Sequence, residues 1–263
     1  MTNTAAESTL MTPPQPVVHT LTTNPAMMRE WFDNVLRPTP IYKNRMGGNN
    51  VKLAVRSPNG PDDRFFFQTP SMPAPFGVSE YIPTDGALKP KYSLDLSFRY
   101  ADEDPKVKQF LRAMQSLDDY MIELAIRHSL DWFGKVMSPD VIRELYRPLV
   151  KVSSQPEKYK PVIKGKLREN PKDMYAWTTD DDKFDMAKFM PGTHVKVILE
   201  LMPVWFMNKQ FGLSLSVVRV LVTQLPSFQT CRDNGFLPGF SFIKEQVETE
   251  EGEIEDGPVP FRA

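Results

Sequence analysis

The fold is decided where an alternating segment gives way to a helical one, in KYSLDLSFRYADEDPKVKQFLRAMQSLDDYMIELA, residues 91–125. Apolar and polar side chains alternate from Lys91 to Tyr100, which predicts a half-buried antiparallel strand. From Asp104 onward apolar residues recur every three or four positions, which predicts an amphipathic helix. Asp104 is a suitable N-cap, and Pro105 takes the first helical position, where its missing N–H costs nothing. The segment predicts a β-domain with a helical insertion.

The sequence on both sides of this segment favours strands. The first helix is expected to continue through Trp132 and stop at Gly134, and a second begins at Ser138-Pro139 and ends near Pro148. Strands are predicted at 51–55, 65–67, 159–168, 174–177, 194–202 and 211–222, with a hairpin turn at 208–210. This order predicts a mainly β, α+β fold: an OB-fold-like antiparallel barrel with a helical pair inserted at about residues 105–148. A β-sandwich is the alternative.

The chain divides into three parts by composition and charge. Residues 1–26 are rich in Thr, Pro and Asn and are expected to form a disordered arm. Residues 27–244 form the predicted domain, opening with a short helix at 27–36. Residues 245–263 form an acidic tail with seven acids and one base, a net charge of −6. Since the whole chain carries −1, the remainder carries +5. This asymmetry suggests a polyanion partner, although a purely solubilising tail fits as well.

Signals for catalysis are weak. The single cysteine, Cys231, excludes an intramolecular disulfide and suits a reducing intracellular compartment. The three histidines are far apart, and no glycine-rich phosphate loop is present. We predict no enzyme activity, no metal, no cofactor, no secretory signal and no membrane segment. Asp180–Asp182 could hold a divalent cation as in a nuclease, but a solvated turn is favoured. Asp118, beside the apolar stripe of the helix, is expected at the surface.

A basic segment is the stronger signal. Between Arg147 and Lys172 eight bases face only two acids. Five of the bases share one parity, so an unbulged strand would point them to one face: Lys158, Lys160, Lys164, Lys166 and Arg168. Tyr159 has the opposite parity and is expected in the core. The row is open to two interpretations, a solvated outer face or a surface for a polyanion.

Aromatic residues accompany these bases at predicted strand ends and turns. Single-strand binders combine a cationic groove with aromatic faces on which bases stack. The candidate nucleic-acid contacts beside the basic row are Trp177, Trp205, Lys209 and Phe211. For each aromatic, a place in the core is the competing interpretation.

Several short stretches, taken in order, resemble a known family. They are KYSLDLSF (91–98), 110–133, SPDVIRELYRPLV (138–150), YKPVIKGKLR (159–168) and VWFMNKQFGLSLSVVRVLV (204–222). Together they resemble the single-stranded DNA-binding proteins of large eukaryotic DNA viruses, which are similar to the phage T7-type single-stranded DNA-binding family.

The resemblance implies an OB-fold that binds and protects single-stranded DNA during replication, recombination and repair. It implies an acidic tail that restrains DNA binding and recruits a replication polymerase, helicase or primase, here through Glu250, Glu251, Glu253, Glu255, Asp256 and Phe261. Phage members end their tail in an aromatic residue, whereas Arg262 and Ala263 follow Phe261 here. The implied location is the site of viral DNA replication, the host nucleus or a viral factory. A homodimer is left open, and a non-catalytic viral structural or scaffold protein is the alternative function.

Overall fold

The computed structural model describes residues 17–21, 25–55, 64–83, 89–168, 176–177, 183–185 and 188–227. Its helices are α1 (Pro25–Val35), α2 (Pro105–Arg127), α3 (Ser129–Phe133) and α4 (Pro139–Leu145). Its strands are β1 (Val18–Thr20), β2 (Leu36–Pro38), β3 (Tyr42–Lys43), β4 (Asn49–Val51), β5 (Leu53–Val55), β6 (Phe66–Gln68), β7 (Met72–Ala74), β8 (Val78–Tyr81), β9 (Lys91–Ser97), β10 (Tyr146–Arg147), β11 (Val162–Leu167), β12 (Ala176–Trp177), β13 (Thr193–Leu201), β14 (Val204–Met207), β15 (Gln210–Gly212) and β16 (Leu215–Gln224). The mainly β, α+β fold class is confirmed.

The largest sheet closes into a barrel. Strands β8, β9, β11, β16, β13 and β7 are hydrogen-bonded in that order. Because β7 and β8 follow each other around the turn that contains Gly77, they act as two halves of one bent strand. Counted in chain order, the five barrel strands run 1-2-3-5-4-1, the arrangement of an OB-fold. The barrel is not wholly antiparallel as predicted, since β11 pairs with β16 in parallel.

The barrel interior is filled by apolar side chains, which pack closely against a glycine on β11. Leu94, Ile163 and Val197 are buried inside. Gly165 lies between them on β11, and a Cβ there would stand 2.6 Å from the Val217 side chain and 3.3 Å from that of Leu199. Glycine at this position therefore leaves room inside the barrel for the Val217 and Leu199 side chains.

Gly165→Ala should lower the free energy of unfolding by about 1–2 kcal/mol, because the added methyl overpacks the interior. Urea unfolding followed by circular dichroism measures this. Lys166→Ala on the next residue, which is exposed, is the control and should change stability by less than about 0.5 kcal/mol. Equal stability of the two variants would show that the barrel relaxes around the methyl at no cost.

The helical insertion lies between β9 and β11, as predicted. Asp104 caps α2, its carboxylate accepting from the Lys106 N–H at 2.7 Å. The helix ends at Arg127 rather than continuing to Trp132, so three helices replace the predicted pair. The break lies at His128, and the Ser129 hydroxyl that follows donates to the Lys135 carbonyl at 3.1 Å. Across the described residues, no helix combines the length and apolar character that a bilayer crossing would need.

The N-terminal region begins its ordered structure earlier than predicted. Val18–Thr20 forms β1, which pairs in parallel with β6, and Leu21 is buried. The His19 ring lies 5.2 Å from that of Phe65 and 5.5 Å from that of Trp31. Strand pairing and ring contacts offset the cost of ordering this part of the predicted arm. Residues 1–16 lie outside the described part of the chain.

A second sheet, in the order β10-β15-β14-β4-β3, projects from the barrel between β13 and β16. Its central hairpin turns at Asn208 and Lys209, whose φ angles of 50° and 62° match the predicted turn. One face of this sheet packs on the helical insertion, with Phe206 5.7 Å from Phe133 between ring centres. The opposite face carries Trp205.

Candidate nucleic-acid interface

The outer face of β9 and β11 gathers four lysines. Cross-strand pairing sets Lys164 beside Asp95 and Lys166 beside Ser93. The side chains of these paired residues share the face that points away from the core. Lys91 lies two residues along β9 from Ser93. Residue 151 forms an antiparallel bridge with Val162 at the start of β11. We call this set the lysine cluster: Lys91, Lys151, Lys164 and Lys166.

The lysine cluster holds more positive charge than the described carboxylates around it neutralise. Lys164 Nζ lies 3.4 Å from Asp95 Oδ2, and the Asp95 side chain is only 10% exposed. Surrounding protein desolvates the Lys166 ammonium, and repulsion from Lys91 and Lys151 adds to this effect, so the pKa of Lys166 is lowered. Among the described side chains, Asp95 is the one carboxylate in an ion pair with this cluster, so an anion would stabilise the face.

Two of the five bases in the predicted row leave the strand. β11 begins only at Val162, so the parity that would align Lys158 and Lys160 with the others does not apply. Lys158 Nζ lies 5.1 Å from the centre of the Tyr159 ring. Lys160 Nζ pairs instead with Asp102, at 3.2 Å. The prediction of one uninterrupted row is wrong, because the chain turns before the strand starts.

Arg168 stands at the far end of β11. It forms an ion pair with Glu200, and its Nε donates to Ser216 Oγ at 2.9 Å. The side chain remains 51% exposed. It therefore adjoins the lysine cluster but is tied to a buried carboxylate.

The candidate aromatic contacts separate into different environments. Phe211 is fully buried and lies 5.3 Å from both Phe133 and Tyr146 between ring centres, so its assignment as a nucleic-acid contact is wrong. The hairpin turns this residue toward the helices. Trp205, on the opposite face, is partly exposed and donates from Nε1 to the Leu213 carbonyl at 3.2 Å. Lys209 is exposed at the turn.

Trp177 is described only through its main chain, which pairs with Leu221 of β16. The acidic tail, with Glu250, Glu251, Glu253, Glu255, Asp256 and Phe261, and the Asp180–Asp182 cluster lie outside the described residues. Within the described residues, no group of three His, Cys, Asp or Glu side chains is placed to hold a metal ion. The absence of catalysis and of a cofactor stays a prediction.

Two exposed tyrosines near the lysine cluster were missed. Tyr81 on β8 is 61% exposed and pairs directly with Lys91. Tyr159 is 51% exposed rather than in the core, because it precedes the strand whose parity would have turned it inward. The sequence signal for Tyr81 is weak: a short proline-free stretch between Pro75 and Pro83, inside the segment interpreted as loop.

The prediction that Asp118 lies at the surface is also wrong. It is buried, and its Oδ1 accepts from the Tyr146 hydroxyl at 2.6 Å and the Leu149 N–H at 2.9 Å. Its Oδ2 accepts from the Val150 N–H at 3.3 Å. Burial raises the pKa of Asp118, while these three hydrogen bonds oppose the shift. The carboxylate thus holds the backbone that leads directly into Lys151.

The strand order and the lysine cluster define an OB-fold-like barrel protein with a cationic outer face. Residues 104–236 match the model of DUF5871, described as a family of unknown function. The match covers 133 of the 263 residues, and the chain belongs to this family. No curated protein matches the sequence.

Solved structures with a similar arrangement come from bacteriophages. The single-stranded DNA-binding protein from bacteriophage Enc34, in complex with single-stranded DNA, is 13% identical, with a TM-score of 0.39 over 73% of this chain and 96% of that chain. The single-stranded DNA-binding protein gp2.5 encoded by bacteriophage T7 is 13% identical, with a TM-score of 0.41 over 62% of this chain and 93% of that chain.

Proposed function

We propose that this protein binds single-stranded DNA without sequence preference along the outer face of β9 and β11. The lysine cluster carries the proposal. Among the described residues, Asp95 is the one carboxylate in an ion pair with the cluster, and burial together with repulsion from Lys91 and Lys151 lowers the pKa of Lys166. A phosphate backbone laid across this face would relieve that repulsion and release counterions from the DNA.

The position of the lysine cluster on the barrel supports the same ligand. In OB-folds the face of the second and third strands binds oligonucleotides. These strands correspond to β9 and β11 here, because the bent strand β7–β8 is the first. The lysine cluster therefore lies on the sheet face with which OB-folds bind oligonucleotides.

The chemistry of the face favours single strands and disfavours sequence readout. Tyr81 and Tyr159 offer exposed rings near opposite ends of the cluster. Stacking on such rings requires bases that are not paired within a duplex, and every base has a face that can stack. Lysines contact phosphates, which are the same in every nucleotide. Binding should therefore depend on salt and on strandedness but little on sequence.

A role in replication, recombination and repair, with an acidic tail that competes with DNA, is the finer part of the proposal. The net charge of −6 on residues 245–263 is opposite to that of the lysine cluster. An anionic segment tethered to the barrel would lower affinity for weak polyanions and would recruit basic partners. A reducing intracellular site of viral DNA replication would suit this role and the single cysteine.

Fluorescence anisotropy with labelled oligothymidine, measured with the full chain over a salt series, tests the proposal. We expect affinity that falls steeply with salt, and unlabelled single strands of any sequence should compete better than duplex. Ending the chain at residue 244 should tighten binding at low salt by removing the competing charge. If the full chain and the shortened chain both fail to bind at low salt, a scaffold role is the better explanation.

A further inference from the structure

Two arginines share one buried carboxylate beside the lysine cluster. Glu200 on β13 is 5% exposed. It forms an ion pair with Arg168, and Arg64 Nη1 lies 3.4 Å from its Oε1 and 3.5 Å from its Oε2. A buried carboxylate needs a partner, because leaving it unpaired away from water is strongly unfavourable. The two arginines therefore bring two guanidinium groups to one buried carboxylate.

The guanidinium groups of this arginine pair are held in place. Arg168 donates from Nε to Ser216 and from Nη2 to Glu200, while its Nη1 has no hydrogen-bond partner among the described residues. Arg64 lies over the Phe66 ring, with Cζ 5.1 Å from its centre. Both side chains are still about half exposed, at 51% and 54%. They are therefore ordered by the protein and accessible to a ligand.

The arginine pair continues the lysine cluster across the barrel. Cross-strand pairing sets Lys166 beside Ser216, Ser216 beside Glu200, and Glu200 beside Phe66. Directly paired residues point to the same face of a sheet. The four positions thus form one row on the outer face, from β11 to β6, spanning three strand spacings or about 14 Å.

We propose that Arg64 and Arg168, oriented by Glu200, bind a backbone phosphate of the same DNA strand that the lysine cluster holds. The inference rests on the proposed function and extends it: the strand crosses the barrel roughly perpendicular to its β-strands, from β9 toward β6. A planar guanidinium presents parallel N–H donors that match two phosphate oxygens. Because Glu200 and Ser216 already orient Arg168, little rotamer entropy is lost on binding.

Arg168→Gln and Arg64→Gln, made singly, test this site. Each variant leaves Glu200 one arginine, which preserves the partner that the fold needs. Loss of one phosphate contact should reduce the slope of log affinity against log salt by about 0.7 and weaken oligothymidine binding about five-fold at ~0.1 M salt. Arg143→Gln is the control, since it removes an equal charge from the exposed surface of α4.

Each outcome separates this inference from the function on which it rests. If Lys166→Ala weakens binding while both arginine variants behave like Arg143→Gln, the arginine pair is a structural ion bridge and the inference is overturned. If the full chain does not bind oligothymidine, the proposed function itself fails. A melting curve identifies any variant that does not fold. Should Arg168→Gln unfold, Arg64→Gln decides the outcome alone.

Discussion

Replacing Lys91, Lys151 and Lys166 together with alanine should weaken binding to oligothymidine about 100-fold at ~0.1 M salt. For single strands each neutralised phosphate contributes about 0.7 to the slope of log affinity against log salt, which corresponds to about five-fold in affinity per contact at this salt. Three contacts should therefore lower the slope by about 2. These lysines are exposed on the outer face, so the fold should tolerate their loss. Anisotropy titrations at several salt concentrations measure affinity and slope together.

A second triple variant, matched in net charge, tests whether DNA binding depends on where the cations lie or only on how many there are. Arg112, Lys135 and Arg143 are exposed cations of the helical insertion. Changing all three to alanine removes the same net charge but leaves the outer face of β9 and β11 intact. This variant should lose no more than a few-fold in affinity, through the long-range field alone. Equal losses in the two triple variants would contradict binding at the lysine cluster and favour a diffuse attraction to net charge.

The sequence predicts the elements whose signals are local. Asp104 and Pro105 mark the start of α2 because an N-cap and a proline act within one helical turn. The alternation from Lys91 to Phe98 predicts the buried face of β9 because that strand has one face in the core. Asn208 and Lys209 predict the hairpin turn for a similar reason, since the turn conformation depends on two adjacent residues.

The sequence misplaces residues whose environment depends on distant parts of the chain. Phe211 points inward because Phe133 and Tyr146, from the helical insertion, cover that face of the hairpin. Lys160 is drawn to Asp102, 58 residues away, at the point where the chain has not yet entered β11. Period-two alternation predicts which residues share a face, but tertiary packing decides where the strand begins and which face is covered. The two arginines meet at Glu200 only because β6, β11 and β13 are neighbours in the barrel.

Asp118→Ala should lower the free energy of unfolding by about 3 kcal/mol, the largest stability effect we expect from a single substitution. The change leaves three buried donors without their acceptor: the Tyr146 hydroxyl and the N–H groups of Leu149 and Val150. Since residues 149–150 precede Lys151, the variant should also weaken oligothymidine binding where it remains folded. Urea unfolding measures the first effect and anisotropy the second. Asp119→Ala, at the exposed neighbouring position, should change neither by much.

The difference in free energy of unfolding between the wild-type protein and Asp118→Ala should depend on pH. This dependence tests how the buried carboxyl is stabilised. Burial raises the pKa of Asp118 above its ordinary value of 3.8. As pH falls, the folded protein therefore takes up a proton at Asp118 before the unfolded chain does, and this carboxyl adds stability on acidification. The stability gap between the wild-type protein and Asp118→Ala should widen from the raised pKa down to about 3.8 and then stay constant. A gap that narrows instead would mean that the three hydrogen bonds outweigh burial and that the native state favours the charged carboxylate.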